Sequence, residues 1–146
     1  MPEATPRPGE TPAEAASRRT SGGWGRVLVA VYAVLALAAT GRSSVQLVTH
    51  AADAPVPYGL SALAALVYVA ATLGLARPAP VWRRVAWVAV LVELVGVLAV
   101  GTVSVVHGDW FPDDTVWSRF GSGYGYLPLV LPFLGLAWLL RTRPST

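Results

Sequence analysis

The chain has no cysteine and no lysine. Without a thiol there is no disulfide, no thiolate metal site and no cysteine nucleophile, and membrane oxidoreductases that work through cysteine pairs are excluded with them. All eleven basic residues are arginine, a usage that points to a G+C-rich genome. Charge of either sign is scarce, at 13% of residues against 54% hydrophobic. Over 146 residues that composition describes a one-domain membrane protein and not a soluble fold. The net charge of +3 is modest, and nucleic acid is not an expected partner.

What the chain does have is four apolar runs. They cover about residues 27–49, 58–76, 85–106 and 124–140. Each approaches the ~20 residues that cross a ~30 Å hydrocarbon core as a helix. The fourth is short and carries Pro128 and Pro132, which kink a helix unless neighbouring groups compensate. Residues 1–23 hold four prolines, three glycines and scattered charge with no apolar periodicity, and read as a disordered cytoplasmic tail. The expected fold is therefore an all-α membrane protein, a four-transmembrane-helix bundle over residues 24–141.

The arginines orient it. Arg7, Arg18, Arg19 and Arg26 precede the first run, Arg77, Arg83 and Arg84 lie between the second and third, and Arg141 and Arg143 follow the fourth. Four alternating helices place these nine on one side, facing Asp53, Asp109, Asp113, Asp114 and a single Arg119 on the other. The positive-inside rule then puts both termini in the cytoplasm of a multi-pass protein of the cell membrane. A competing reading takes Arg18, Arg19 and Arg26, the run Val27–Leu37 and the small residues near Ala38 as a signal peptide, with a twin-arginine hint at Arg18-Arg19. The Ser-Gly-Gly that follows Thr20 lacks the hydrophobic continuation of such signals.

Glu93 is the only charged side chain in Val85–Val106. A carboxyl group in such a run is costly unless it finds a partner or water, which makes it the leading functional candidate. Helical spacing aligns it with Ala86, Ala89, Gly96, Val97, Val100 and Ser104, opposite the bulky Trp87, Leu91, Leu94, Val95, Leu98 and Val105. Small residues beside a polar one mark a helix contact in lipid, so Glu93 points into the bundle. On the second span Ser61, Ala64, Ala65, Tyr68, Ala71 and Thr72 share a face; on the first, Leu35, Ala38, Arg42, Val45, Gln46 and Thr49 do. The expected intramembrane cluster is thus Glu93, Arg42, Tyr68, Gln46 and Ser104. Arg42 stands roughly 22 Å along its span and Glu93 roughly 12 Å, and both side chains lean toward the cytoplasm. A direct pair is one arrangement; the others are a hydrogen bond from Tyr68, a neutral Glu93, or Arg42 reaching the outer surface. Such a cluster serves as a packing clasp, as a proton or ion relay or polar substrate pocket, or as a contact to another subunit.

Other chemistry is thinly supported. His50 and His107 sit just past the outer ends of two spans, near Asp53 and Asp109, and are weak metal or haem candidates. No nucleophile elbow or triad spacing accompanies Ser43 or Ser44. The segment His107–Gly125 reads as an interfacial helix capped by Asp113 or Asp114 and ended by Gly121. Trp110, Phe111, Trp117 and Phe120 would then form an aromatic belt, and Trp110, Phe111, Trp117 and Arg119 the outer-face contacts. Gly123-Tyr124-Gly125 matches a potassium-filter triplet, but the residues before it are Gly-Ser, and Arg119 would repel cations.

The segments Thr40-Gly-Arg-Ser-Ser-Val-Gln-Leu-Val-Thr-His50, Ala54-Pro-Val-Pro-Tyr-Gly-Leu-Ser61 and Phe111-Pro-Asp-Asp-Thr-Val-Trp-Ser118 resemble a group of small four-helix membrane proteins from actinobacteria. The resemblance covers about residues 24–141, implies the four-span topology and supplies no site residues. The expected role is that of a non-enzymatic accessory or scaffold subunit with no cofactor. Its partners would be the lipid bilayer and either another membrane protein or a second copy of the chain. A small transporter or proton-coupled subunit built on Glu93, Arg42 and Tyr68 is the alternative, and an outer-face metal- or haem-binding enzyme comes third.

Overall fold

The computed structural model describes residues 7–50 and 52–142, without the side chains of residues 15–21 and 50. Among them there is helix and turn but no strand. Helix α1 spans Pro12–His50, α2 Pro55–Ala76, α3 Pro80–Val106 and α4 Leu127–Arg141. Two short 3₁₀ segments, Gly108–Trp110 and Ser118–Tyr124, lie between α3 and α4.

Proline sets several of the boundaries. It stands in the first turn of α2, α3 and α4, where its missing N–H costs nothing and its fixed φ suits the helix. Pro132 lies inside α4 and is buried, yet the helix continues unbroken to Arg141. The start of α1 departs from expectation: helix begins at Pro12, within the stretch read as a disordered tail. The reason is a capping box. The Thr11 backbone N–H donates to Glu14 Oε2 at 2.7 Å, and the Glu14 N–H returns to Thr11 Oγ1 at 3.3 Å.

Three helical segments, Gly22–Thr49, Pro55–Ala76 and Pro80–Val106, are long and apolar enough to cross a membrane. A fourth crossing is formed if Ser118–Tyr124 and Leu127–Arg141, bent by 97°, count together. Arg83 at the start of α3 donates to the Leu139 carbonyl and, at 3.3 Å, to Thr142 Oγ1. The end of α4 therefore lies beside the start of α3. With 15 residues α4 rises only ~22 Å. It closes the bundle because the chain before it has already turned inward.

The stripes read from the sequence are the buried faces on α2 and α3. Ser61, Ala64, Ala65, Tyr68 and Ala71 are buried, as are Ala86, Ala89, Glu93, Val97, Val100 and Ser104. On α1 the phase differs. Leu28, Tyr32, Leu35, Ala36, Ala39 and Ser43 are buried, while Ala38, Val45 and Thr49, expected inside, are exposed. The close approach of α2 to α3 depends on Gly74, where an added Cβ would stand 2.6 Å from the Ala86 backbone nitrogen.

Candidate functional site: a buried carboxyl beneath an inward-folded loop

Glu93 is fully buried at the centre of the bundle. Its neighbour is one the sequence reading omitted: the Tyr32 hydroxyl donates to Glu93 Oε2 at 2.7 Å. The second carboxyl oxygen, Oε1, is buried without a hydrogen-bond partner. Gly135 of α4 leaves room at this point, since a Cβ there would stand 3.3 Å from the Tyr32 hydroxyl oxygen. Tyr68 lies alongside, its ring 6.3 Å from that of Tyr32 and tilted by 47°. The carboxyl thus sits where α1, α3 and α4 meet, with the α2 tyrosine next to its partner.

Arg42 does not pair with Glu93. Its guanidinium donates to the Asp114 carbonyl in the loop between α3 and α4, in place of the direct ion pair. The rise that puts Arg42 roughly 10 Å beyond Glu93 explains the choice. Gln46 is half-buried, with Oε1 unpartnered, and Ser43 and Ser61 have unpartnered hydroxyls in the same outer half of the α1–α2 pair. Ser104 is buried, donates to the Gly101 carbonyl at 2.9 Å and accepts the Arg119 backbone N–H at 2.7 Å. Of the expected cluster, Tyr68 lies near Glu93, while Arg42 and Ser104 serve the loop.

The loop is the main departure from the sequence reading. No interfacial helix runs from Asp113 to Phe120. The Thr115–Ser118 stretch is buried, knotted by Thr115 and Ser118 side-chain bonds to its own backbone. Trp117, expected among the headgroups, is 1% exposed. Its indole Nε1–H donates to the Tyr68 hydroxyl at 3.0 Å. Gly96 makes the berth, for a Cβ there would stand 2.6 Å from the indole ring, and Gly101 does the same for Phe120. Arg119, Phe120 and Gly121 all have positive φ, of 51°, 60° and 80°, so a left-handed turn redirects the chain toward α4. Asp113 caps nothing; its Oδ2 accepts the Tyr58 hydroxyl at 2.5 Å, fastening the loop to the start of α2. Of the other expected outer contacts, Trp110 and Arg119 are exposed and Phe111 is half-buried.

His107 stacks on Trp110, with ring centroids 4.5 Å apart. The His50 side chain lies outside the described residues. Among those described, no three His, Asp or Glu side chains gather as a metal site would require.

The fold and this interior define a helical, apolar bundle compatible with a multi-pass membrane protein. No protein-family model, no curated protein and no solved structure matches the chain.

Proposed function

We propose that this chain crosses the cell membrane four times, with both ends in the cytoplasm, and acts as a non-enzymatic accessory or scaffold subunit through helix and loop contacts. The carrying observation is that several of its interior polar groups turn on one another. Tyr32 engages Glu93, Trp117 engages Tyr68, and Arg42 and Ser104 hold the loop backbone. These links join α1, α2, α3 and the loop that follows α3 into one brace. Val34, Leu37, Val48, Leu66 and Val95 meanwhile face outward, a surface suited to lipid or to a neighbouring helix. The concentration of arginine at one end supports the orientation.

Affinity capture from mild detergent tests the role. The expected result is a reproducible membrane-protein partner or a homo-oligomer, and a monodisperse monomer with no reproducible companion overturns it.

The second reading, a small transporter or proton-coupled subunit, is favoured by the unpartnered Glu93 Oε1, a buried carboxyl oxygen open to a proton. In proteoliposomes it requires a pH-dependent flux that Glu93→Gln abolishes; flux unaffected by that change removes Glu93 from any relay.

A further inference from the structure

The arginine-bearing end of the bundle, remote from the loop, holds two adjoining recesses. One of about 260 Å³ is bounded by the end of α2, the start of α3 and the end of α4, with Arg77 and Arg83 in its wall. The other, of about 400 Å³, continues along α1 past Gly22, Arg26 and Val29. Leu75, Ala76 and Trp138 belong to both, so the two are halves of one furrow. Sites for small ligands span roughly 300–1,000 Å³, a range the combined furrow enters. Trp138 forms its wall because α1 has glycine at 25, where a Cβ would stand 2.9 Å from the indole.

The chemistry changes along this furrow. At the α2–α3 turn it is cationic. Arg83 is already committed to the end of α4, and Arg77 lies with its guanidinium 4.2 Å from the Trp82 ring centroid. Toward α1 it becomes a channel of glycine, alanine, valine and leucine with Arg26 as its charged member. A free anion would satisfy the first half and leave the second empty; an apolar molecule would do the reverse.

We propose that the furrow binds one anionic phospholipid, its phosphate at the rim of Arg26 and Arg77 and its acyl chain along Val29, Ala30 and Leu75. The proposal rests on the membrane reading above, in which this end meets the inner leaflet. A basic pocket between helices at that level is where anionic headgroups are held, each arginine contributing about fivefold in affinity.

Native mass spectrometry of the full chain in mild detergent tests this with phosphatidylglycerol and phosphatidylcholine as probes. The expected result is one retained phosphatidylglycerol in preference to phosphatidylcholine. The Arg26→Gln/Arg77→Gln double variant should weaken that retention about 25-fold, and the corresponding lysine double variant should keep most of it. Ala30→Leu, at an exposed position that lines the apolar half, should fill the channel and lower retention without disturbing the fold. Equal retention of the two lipids by the unaltered protein overturns the proposal whether or not the variants fold. Undiminished retention in a folded double variant also overturns it. Displacement of the lipid by millimolar inorganic phosphate would assign the rim to a free anion instead. Thiol labelling of Ala79→Cys in intact cells separates the two readings. Labelling from outside refutes the orientation while lipid selectivity in detergent stands. Loss of selectivity with labelling only from inside refutes the lipid site alone.

Discussion

A buried carboxyl group with one hydrogen bond from the protein depends heavily on that bond. Removing the Tyr32 hydroxyl leaves Glu93 with neither oxygen engaged. In a soluble core an orphaned polar group costs about 1–3 kcal/mol. Between membrane helices measured bonds average only ~0.6 kcal/mol and reach ~1.7, because the unfolded helices also find partners in lipid. Glu93 is buried by three other helices and not by lipid, so the upper end of that range applies. Tyr32→Phe should therefore destabilise the bundle by about 1–1.7 kcal/mol, read from unfolding in mixed micelles. Glu93→Gln keeps a carbonyl acceptor for Tyr32 and removes any buried charge, so its stability should equal or exceed that of the parent. A Gln variant less stable than Tyr32→Phe would show that the charge itself is required. The direction of Glu93 was legible because Ala86, Ala89 and Val97 mark the packed side of α3. Its partner was not. The charge of Arg42 set the assumed phase of α1, and a side chain that long serves a loop from the rim of a face; counting from Tyr32, Ala36, Ala39 and Ser43 recovers the true one.

At the scale of elements, two glycines in α2 make opposite demands. Gly74 has the backbone of α3 against it, whereas Gly59 has nothing within 4 Å of an added Cβ. Gly74→Ala must push α2 away from α3 and should cost about 1–3 kcal/mol, as overpacked cores do. Gly59→Ala should stabilise by about 0.5–1 kcal/mol through helix propensity alone. Opposite signs in one thermal-unfolding comparison are expected; equal effects would place the α2–α3 contact elsewhere. The start of α1 responds to pH instead. The Thr11 backbone N–H and hydroxyl hydrogen-bond the Glu14 carboxylate and hold it below its ordinary value of 4.5. A depressed carboxylate stabilises the folded form above the unfolded value and loses that contribution as pH falls through the folded one. The first turns of α1 should thus fray as pH drops below about 4.5, and Glu14→Gln should remove that dependence, both read from amide exchange. This cap was written plainly as Thr-Pro-Ala-Glu, but the prolines and glycines around it outweighed the signal. The loop was harder to foresee. Nothing in Arg119 or Phe120 announces a positive φ, a conformation costing about 1–2 kcal/mol for such residues. It is held by distant groups, Ser104 and Gly101, that no local pattern links to it.

For the whole molecule, the arginine distribution and the contact of Arg83 with the end of α4 give one account. The starts of α1 and α3 and the ends of α2 and α4 share one end of the bundle. Because the chain has no native cysteine, single substitutions map this directly. Asp109→Cys, exposed at the opposite end, should react with an impermeant reagent in intact cells, and Ala79→Cys only after permeabilisation. Reaction of both from outside would reverse or break the four-crossing topology. The ends of α1, α2 and α3 were legible to within a residue because length and hydropathy suffice for them, whereas α3 begins at Pro80 and not 85, and α1 at Pro12 and not 27. The fourth was expected from about Tyr124 and begins at Leu127, since the residues before it form a 3₁₀ segment bent by 97° from the helix.

That loop also depends on how the helices beneath it meet. Trp117 has no berth until Gly96 of α3 and Tyr68 of α2 are side by side, and Gly121 has none until Pro128 has arrived at the start of α4. The loop can therefore seat only on helices that have met, and a variant that parts Gly96 from Tyr68 should loosen the loop as well as the helix pair.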